Sequence, residues 1–184
     1  MEKGKIIFLN GVSSAGKTTL AKALQSKLDE PFYMLSNDMF CDMAPEKFWD
    51  IDWRKIGYRA LIGMYHTIKA FSDIGINVVA DDVFLNEDDR LQQCVKLLHD
   101  YHVLFVHVIC SDLEEQRRRE KERGDRNIGQ GESQLSELRP QDTYDITVDT
   151  FANSTEECAE KIIEILAYPE KFTAFKILWD EMKK

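Results

Sequence analysis

Apolar residues in this chain fall into two kinds of block that take turns. Runs rich in β-branched and aromatic residues read as strands: "KIIFLN" (5–10), "FYMLS" (32–36), "INVVADDVF" (76–84), "HVLFVHVICS" (102–111) and "YDITVDT" (144–150). Between them, apolar positions recur every three or four residues. Leu20, Ala21, Leu24 and Leu28 predict a helix that starts near Lys17 and runs through Leu28. Ile56, Leu61, Met64, Tyr65, Ile68 and Phe71 predict a long helix over 54–75, with Gly75 as its stop. Further helices are predicted over 87–101, over 112–125 and over 154–184. Asp112 suits the N-cap and Gly124 the stop of the second, and Pro169 divides the last into one or two. The segment 37–53, "NDMFCDMAPEKFWDIDW", is polar and aromatic.

Strands and helices in alternation predict the α/β class: three layers, with a five-stranded parallel sheet and helices on both faces. The third strand is apolar on both faces and so is expected in the interior of the sheet. In such sheets ligands bind beyond the carboxyl ends of the strands. The residues just after each strand therefore carry the chemistry.

After the first strand stands Gly11-Val12-Ser13-Ser14-Ala15-Gly16-Lys17-Thr18, a Gly-x-x-x-x-Gly-Lys-Thr pattern between strand and helix. That is the context of a P-loop. Glycines at both ends let successive N–H groups curl around an anion, and the helix start adds its dipole. Lys17 can reach the β- and γ-phosphates of a nucleoside triphosphate such as ATP, and the Thr18 hydroxyl can bind Mg²⁺. The plainer alternative is a small-residue turn that packs a helix on a strand.

The third strand ends in Asp81 and Asp82, as a Walker-B strand ends in a carboxylate that holds Mg²⁺. Only one of two adjacent strand residues can face the nucleotide. Asp81 is assigned to the metal side, with Asp82 nearer the acceptor; both could also simply end a strand in solvent. Asp38, after the second strand, can act as general base for an acceptor hydroxyl, or belong to an Asn-Asp turn. The run Arg117 to Arg126 is the most basic part of the chain. Arg119 and Arg123 share a helix face, and Arg126 follows Gly124, a possible hinge. Arginines on a closing segment stabilise a transferring phosphoryl group. Arg123 and Arg126 are the candidates; Arg117 and Arg118 read as a solvated face. Phe48, Trp49, Trp53 and Tyr58 form either an acceptor pocket or helix packing. The four histidines lack metal spacing, and His107 reads as a core residue.

With 184 residues the chain is expected to form one domain, 1–184, with a mobile lid around 115–135. Its net charge of −9 argues against nucleic acid as partner. Four scattered cysteines with no CxxC read as buried reduced thiols. No cleavable signal and no membrane-spanning run is evident, so a cytoplasmic protein without a membrane partner is expected.

Taken together and in order, "IIFLNGVSSAGKT", Asp38, "VVADDVFL", "RGDR" and "YDITVDT" resemble the chloramphenicol phosphotransferase family, from the first strand to about Thr150. The resemblance implies a P-loop kinase fold like that of nucleotide and shikimate kinases. It implies transfer of the γ-phosphate of ATP to a hydroxyl. It also implies a nucleotide cradle at Gly11 to Thr18, a catalytic base at Asp38, and lid arginines at Arg119, Arg123 and Arg126. The segments after Asp38 and over 129–143, "GQGESQLSELRPQDT", depart from the family and are where an acceptor would be met. The expected function is an ATP-dependent small-molecule kinase, with chloramphenicol as one candidate acceptor. The alternatives are a P-loop NTPase, or a nucleotide-binding switch that acts with a partner.

Overall fold

The computed structural model describes residues 2–86, 89–124, 127–138 and 143–184, apart from the side chains at 49–51 and 53. Strand β1 (Ile6–Asn10) is buried along its whole length, as its unbroken apolar run requires of a strand covered on both faces. It pairs in parallel with β3 (Asn77–Asp82) on one side and β4 (Val103–Ile109) on the other. Strands β2 (Phe32–Ser36) and β5 (Ile146–Asp149) extend the sheet outward, giving the all-parallel order β2-β3-β1-β4-β5. The five-stranded parallel sheet is thus the one the alternation predicts, with β3 interior and β1 in the middle.

Because side chains alternate along a strand, each face receives every second residue. Ile7, Leu9, Val79, Val106 and Val108 meet helices α1 (Lys17–Lys27) and α7 (Thr155–Leu166) through Leu20, Leu24 and Ile162. Ile6, Phe8, Ala80 and Phe105 meet α3 (Trp49–Asp73), α4 (Arg90–Leu98) and α8 (Ala174–Glu181) through Tyr65, Ile68, Leu91 and Phe175. A 3-10 turn at Pro169–Lys171 separates α7 from α8, where the proline divides the sequence pattern.

Several elements differ from the periodicity. Helix α3 starts at Trp49 rather than 54, with a non-helical residue at Asp52 (φ −160°, ψ 68°). The 3.6-residue apolar signal in the sequence begins only near Ile56. A one-turn helix, α2 (Asn37–Cys41), directly follows β2, and its N-cap Ser36 accepts from the Met39 N–H at 3.2 Å. Strand β3 stops at Asp82 rather than Phe84. There the Val83 N–H donates to Asp82 Oδ1 (2.7 Å) and the Phe84 N–H to Asn10 Oδ1 (2.8 Å), so side chains draw the backbone out of the ladder. Helix α4 ends at Leu98, short of Tyr101. Helix α5 (Leu113–Arg123) has the Asp112 cap and the left-handed Gly124 stop that its sequence predicts. A six-residue helix, α6 (Gln130–Leu135), lies in the stretch that shows no period. All four cysteines are buried and free. Among the described residues no helix is long and apolar enough to cross a membrane.

Candidate active site

The carboxyl ends of the strands bring the chemistry to one edge. Between β1 and α1 the chain curls through Gly11 to Gly16. Gly11 passes so close to β4 that a Cβ would stand 2.1 Å from the Val108 carbonyl oxygen. Gly16 has φ +93°, caps α1 without any side-chain bond, and lies against Thr150. Ser14 has φ +59°, an uncommon conformation for a residue with a Cβ. Among the described residues, the N–H groups of Ser14, Gly16, Lys17 and Thr18 meet no acceptor. The hydroxyls of Ser13 and Ser14 are also buried without a partner. Unpaired buried polar groups are costly. A hollow lined by amides and hydroxyls at a helix N-terminus fits a phosphate group.

Lys17 is buried, and its Nζ donates to the carbonyls of Gly11 (2.8 Å) and Val12 (3.0 Å) across this hollow. Burial lowers its pKa from the ordinary lysine value, while the carboxylates of Asp81, Asp82 and Asp38 pull it back up. Thr18 Oγ1 donates to Asp81 Oδ2 at 3.3 Å, so the hydroxyl and carboxylate that suit a magnesium ion stand side by side. Burial, then the neighbouring Asp82 and Asp38, raise the Asp81 pKa against the pull of Lys17. Mg²⁺ usually takes only one or two carboxylates and keeps several waters. Among the described residues no group of three or more His, Cys, Asp or Glu side chains is gathered as a metal site.

Asp82 points to the opposite face of the sheet and is fully buried. Its Oδ1 accepts from Asn37 Nδ2 (2.6 Å) and Arg90 Nη1 (3.0 Å), and its Oδ2 from the Tyr65 hydroxyl (2.5 Å). The structure sets Asp82 among Asn37, Tyr65 and Arg90, not beside Thr18, so a metal there would have to displace one of these donors. Sequence reasoning missed both Tyr65, taken as core, and Arg90, taken as part of a helix.

Asp38 is the second residue of α2, and its carboxylate is half exposed. Arg123 Nη2, from the end of α5, comes within 3.5 Å of Asp38 Oδ2. Residues from two distant parts of the chain thus meet at the mouth of the hollow. Arg119, one turn earlier on α5, donates to Thr150 Oγ1 (2.9 Å) and to the Thr150 carbonyl (3.0 Å). Thr150 Oγ1 in turn donates to the Ala15 carbonyl at 2.9 Å, which braces Arg119 against the phosphate loop. Arg117 pairs with Glu132 at 2.6 Å, and Arg118 pairs with Glu115 and Glu122 along its own helix. Arg126 lies outside the described residues.

Phe48 is exposed, and the side chains of Trp49 and Trp53 lie outside the described ones. Tyr58 donates to Asp89 at 2.8 Å, so it ties α3 to the start of α4. His107 is a core residue: it stacks on Tyr144 with ring centroids 4.4 Å apart, and burial pushes its pKa down to about 4. Within the 129–143 segment, Gln134 reaches the phosphate loop, its Oε1 accepting from the Ser13 N–H at 2.8 Å, while residues 139–142 lie outside the described ones.

The chain resembles known proteins along nearly all of this framework. The family model for chloramphenicol phosphotransferase-like proteins matches residues 4–167. Two Mycobacterium tuberculosis proteins, provisionally named O-phosphotransferases, are 32% identical over 203 aligned positions, covering 96% of this chain and 89% of theirs. Among solved structures, an APS kinase from Mycobacterium tuberculosis superposes with TM-score 0.69 at 18% identity, covering 91% of this chain and 99% of that one. A shikimate kinase from Acinetobacter baumannii superposes with TM-score 0.66 at 16% identity, covering 90% and 94%. At such identities these two likenesses speak for the fold.

Proposed function

From the premise that the chain belongs to the chloramphenicol phosphotransferase-like family, we propose that it is an ATP-dependent kinase that phosphorylates a hydroxyl of a small molecule. The observation that carries this reading is the approach of Arg123 to Asp38, 3.5 Å, at the mouth of the phosphate hollow. A half-exposed carboxylate held there suits an alcohol that must be oriented and deprotonated, more than it suits simple hydrolysis.

The acceptor hydroxyl donates to Asp38, which takes its proton as the oxygen attacks the γ-phosphorus. The new O–P bond forms as the bond from that phosphorus to the β–γ bridging oxygen breaks, and ADP leaves with the electron pair. Lys17 exchanges the Gly11 and Val12 carbonyls for phosphate oxygens. Thr18 and Asp81 would hold Mg²⁺, directly or through its waters, and that ion would neutralise charge on the β- and γ-phosphates. Arg123 and Arg126 stabilise charge on the group in transit. Arg119, braced by Thr150, holds the nucleotide beside Gly16. The segment 115–135 acts as a lid and keeps water from competing with the alcohol.

Chloramphenicol is one acceptor to try, since the family's description names it, and other alcohols belong in the same panel. The test is transfer from labelled ATP to hydroxylated compounds by wild type and Asp38→Asn. At least one compound should become phosphorylated by the wild type. The variant should lose that transfer by roughly 10²–10⁴-fold, the range of a general base, while still binding ATP. ATP hydrolysis at kinase-like rates that no acceptor changes, in both proteins, would refute the reading in favour of an NTPase.

A further inference from the structure

Both backbone polar groups of Ser13, in the phosphate loop, are held by the lid. The Ser13 N–H donates to Gln134 Oε1, and the Ser13 carbonyl accepts from Gln116 Nε2, each at 2.8 Å. Gln116 lies on α5 and is 1% exposed; Gln134 lies on α6. One turn beyond Gln116, the fully buried Glu120 accepts from the N–H groups of Gly129 (2.6 Å) and Gly131 (2.7 Å), which ties α6 to α5. Gly131 passes so near that a Cβ would stand 2.6 Å from the Ser13 carbonyl oxygen and 1.9 Å from Gln116 Nε2. The chemistry of phosphoryl transfer uses none of Gln116, Glu120, Gly129, Gly131 and Gln134.

Their placement has a physical consequence at the next residue. Ser14 holds a left-handed conformation, φ +59°. A non-glycine residue stays there only where its surroundings over-determine it. The Ser13 N–H belongs to the peptide unit that enters Ser13 and its C=O to the unit that carries the Ser14 N–H, so a bond to each fixes the orientation of both planes and with it the entry into Ser14. The amides of Ser14 and Gly16 face the hollow only while that conformation lasts. Gln116 also leaves its own Oε1 buried without a partner among the described residues. A side chain selected only for packing would avoid that desolvation cost.

We propose that Gln134 and Gln116 are positioning residues that latch the lid to the phosphate loop and hold it in the shape that receives a nucleoside triphosphate. Lid closure and phosphate affinity are then one linked equilibrium. The inference rests on the kinase reading only as far as nucleotide binding.

The test is equilibrium binding of a fluorescent ATP analogue to the full chain. Gln134→Met keeps the side chain's bulk and removes its acceptor. Its dissociation constant should rise about tenfold, the effect of one lost hydrogen bond to a held loop. The binding stoichiometry should stay at the wild-type value, whereas a merely structural role would lower stoichiometry and melting temperature and leave the dissociation constant alone. Gly131→Ala should weaken binding by itself, because its methyl pushes α6 off Ser13. Adding Gln134→Met to it should change little further, since the latch is already open. Wild-type affinity in Gln134→Met, or effects of the two substitutions that multiply, overturns the latch. A wild-type chain that binds no nucleoside triphosphate overturns the kinase reading, and the latch with it.

Discussion

Replacing Arg90 by methionine removes the cation that faces a fully enclosed carboxylate, Asp82. Asp82 is 0% exposed and the Arg90 side chain 10%, and Arg90 Nη1 lies 3.0 and 3.3 Å from the two carboxylate oxygens. What would remain around Asp82 are neutral donors: Asn37 at 2.6 Å, Tyr65 at 2.5 Å and the Val83 N–H at 2.7 Å. Arg90 Nη2 would also release the Val83 carbonyl, now 2.5 Å away. A charge-assisted hydrogen bond contributes about 1.5–3 kcal/mol. Leaving its buried partner uncompensated raises the expected loss to about 3–5 kcal/mol. Urea unfolding of Arg90→Met should show that loss as a lower midpoint with an unchanged slope. In thermal unfolding it corresponds to a fall of roughly 6–20 °C for a chain of this size. Lys27→Met is the control. The Lys27–Glu160 pair is as close, 2.8 Å, but its side chains are 32% and 64% exposed, so its loss should cost about 1 kcal/mol or less. Asp82→Asn added to Arg90→Met should recover part of the stability, because the amide oxygen still accepts from Asn37 and the amide nitrogen can donate to the Tyr65 hydroxyl oxygen, without the charge. If Arg90→Met unfolds within about 1 kcal/mol of wild type, the buried pair is not the anchor its geometry makes it.

Gly11→Ala should reduce ATP affinity by at least about tenfold, measured with the same fluorescent analogue. Its Cβ would meet the Val108 carbonyl oxygen at 2.1 Å, a backbone atom that cannot yield, so the loop must leave the end of β4. Undiminished binding would mean that the hollow does not depend on that close approach. His107→Phe should flatten the acid limb of stability while keeping the stack on Tyr144. The folded-state pKa of His107 is about 4 against an ordinary 6.5. Between those values the unfolded chain binds a proton that the folded chain refuses, so stability falls as pH drops from about 6.5 towards 4. The gap is worth up to roughly 3 kcal/mol. An identical pH slope in the variant, by urea midpoints at pH 4.5 and 7, would assign that loss to other groups.

The phosphate loop is legible in the sequence because its geometry is local. Eight consecutive residues, from the end of a strand into the first turn of a helix, carry both the conformational requirement and the chemistry. The strands and long helices are legible for a similar reason, since burial on one or two faces writes a period into the chain. The rest depends on partners that the sequence does not align. Asp38 and Arg123 are 85 residues apart, and only the strand order and the length of α5 bring them to 3.5 Å. Arg90 stands in the polar stretch "NEDDRLQQ", where nothing separates it from a solvated helix start; the fold turns it under the end of β3. Gln134 is harder still. It is uncharged, lies in a helix too short to show a period, and takes its meaning from Ser13, 121 residues away.

The adjacent pair at the end of β3 explains how the two halves of the site keep their distance. Successive strand residues face opposite sides, so Asp81 and Asp82 cannot both serve the nucleotide. Asp81 turns with Val79 towards α1 and meets Thr18 at 3.3 Å. Asp82 turns with Ala80 towards α3 and α4 and holds Asn37, the residue before Asp38, at 2.6 Å. The phosphate side and the Asp38 side are therefore registered to each other through two consecutive residues of a buried strand. A loop of six residues on one side and a one-turn helix on the other could not by themselves hold Asp38 and the phosphate hollow in fixed relation. A strand hydrogen-bonded on both edges, to β1 and to β2, is the stiffest support the fold offers for that task.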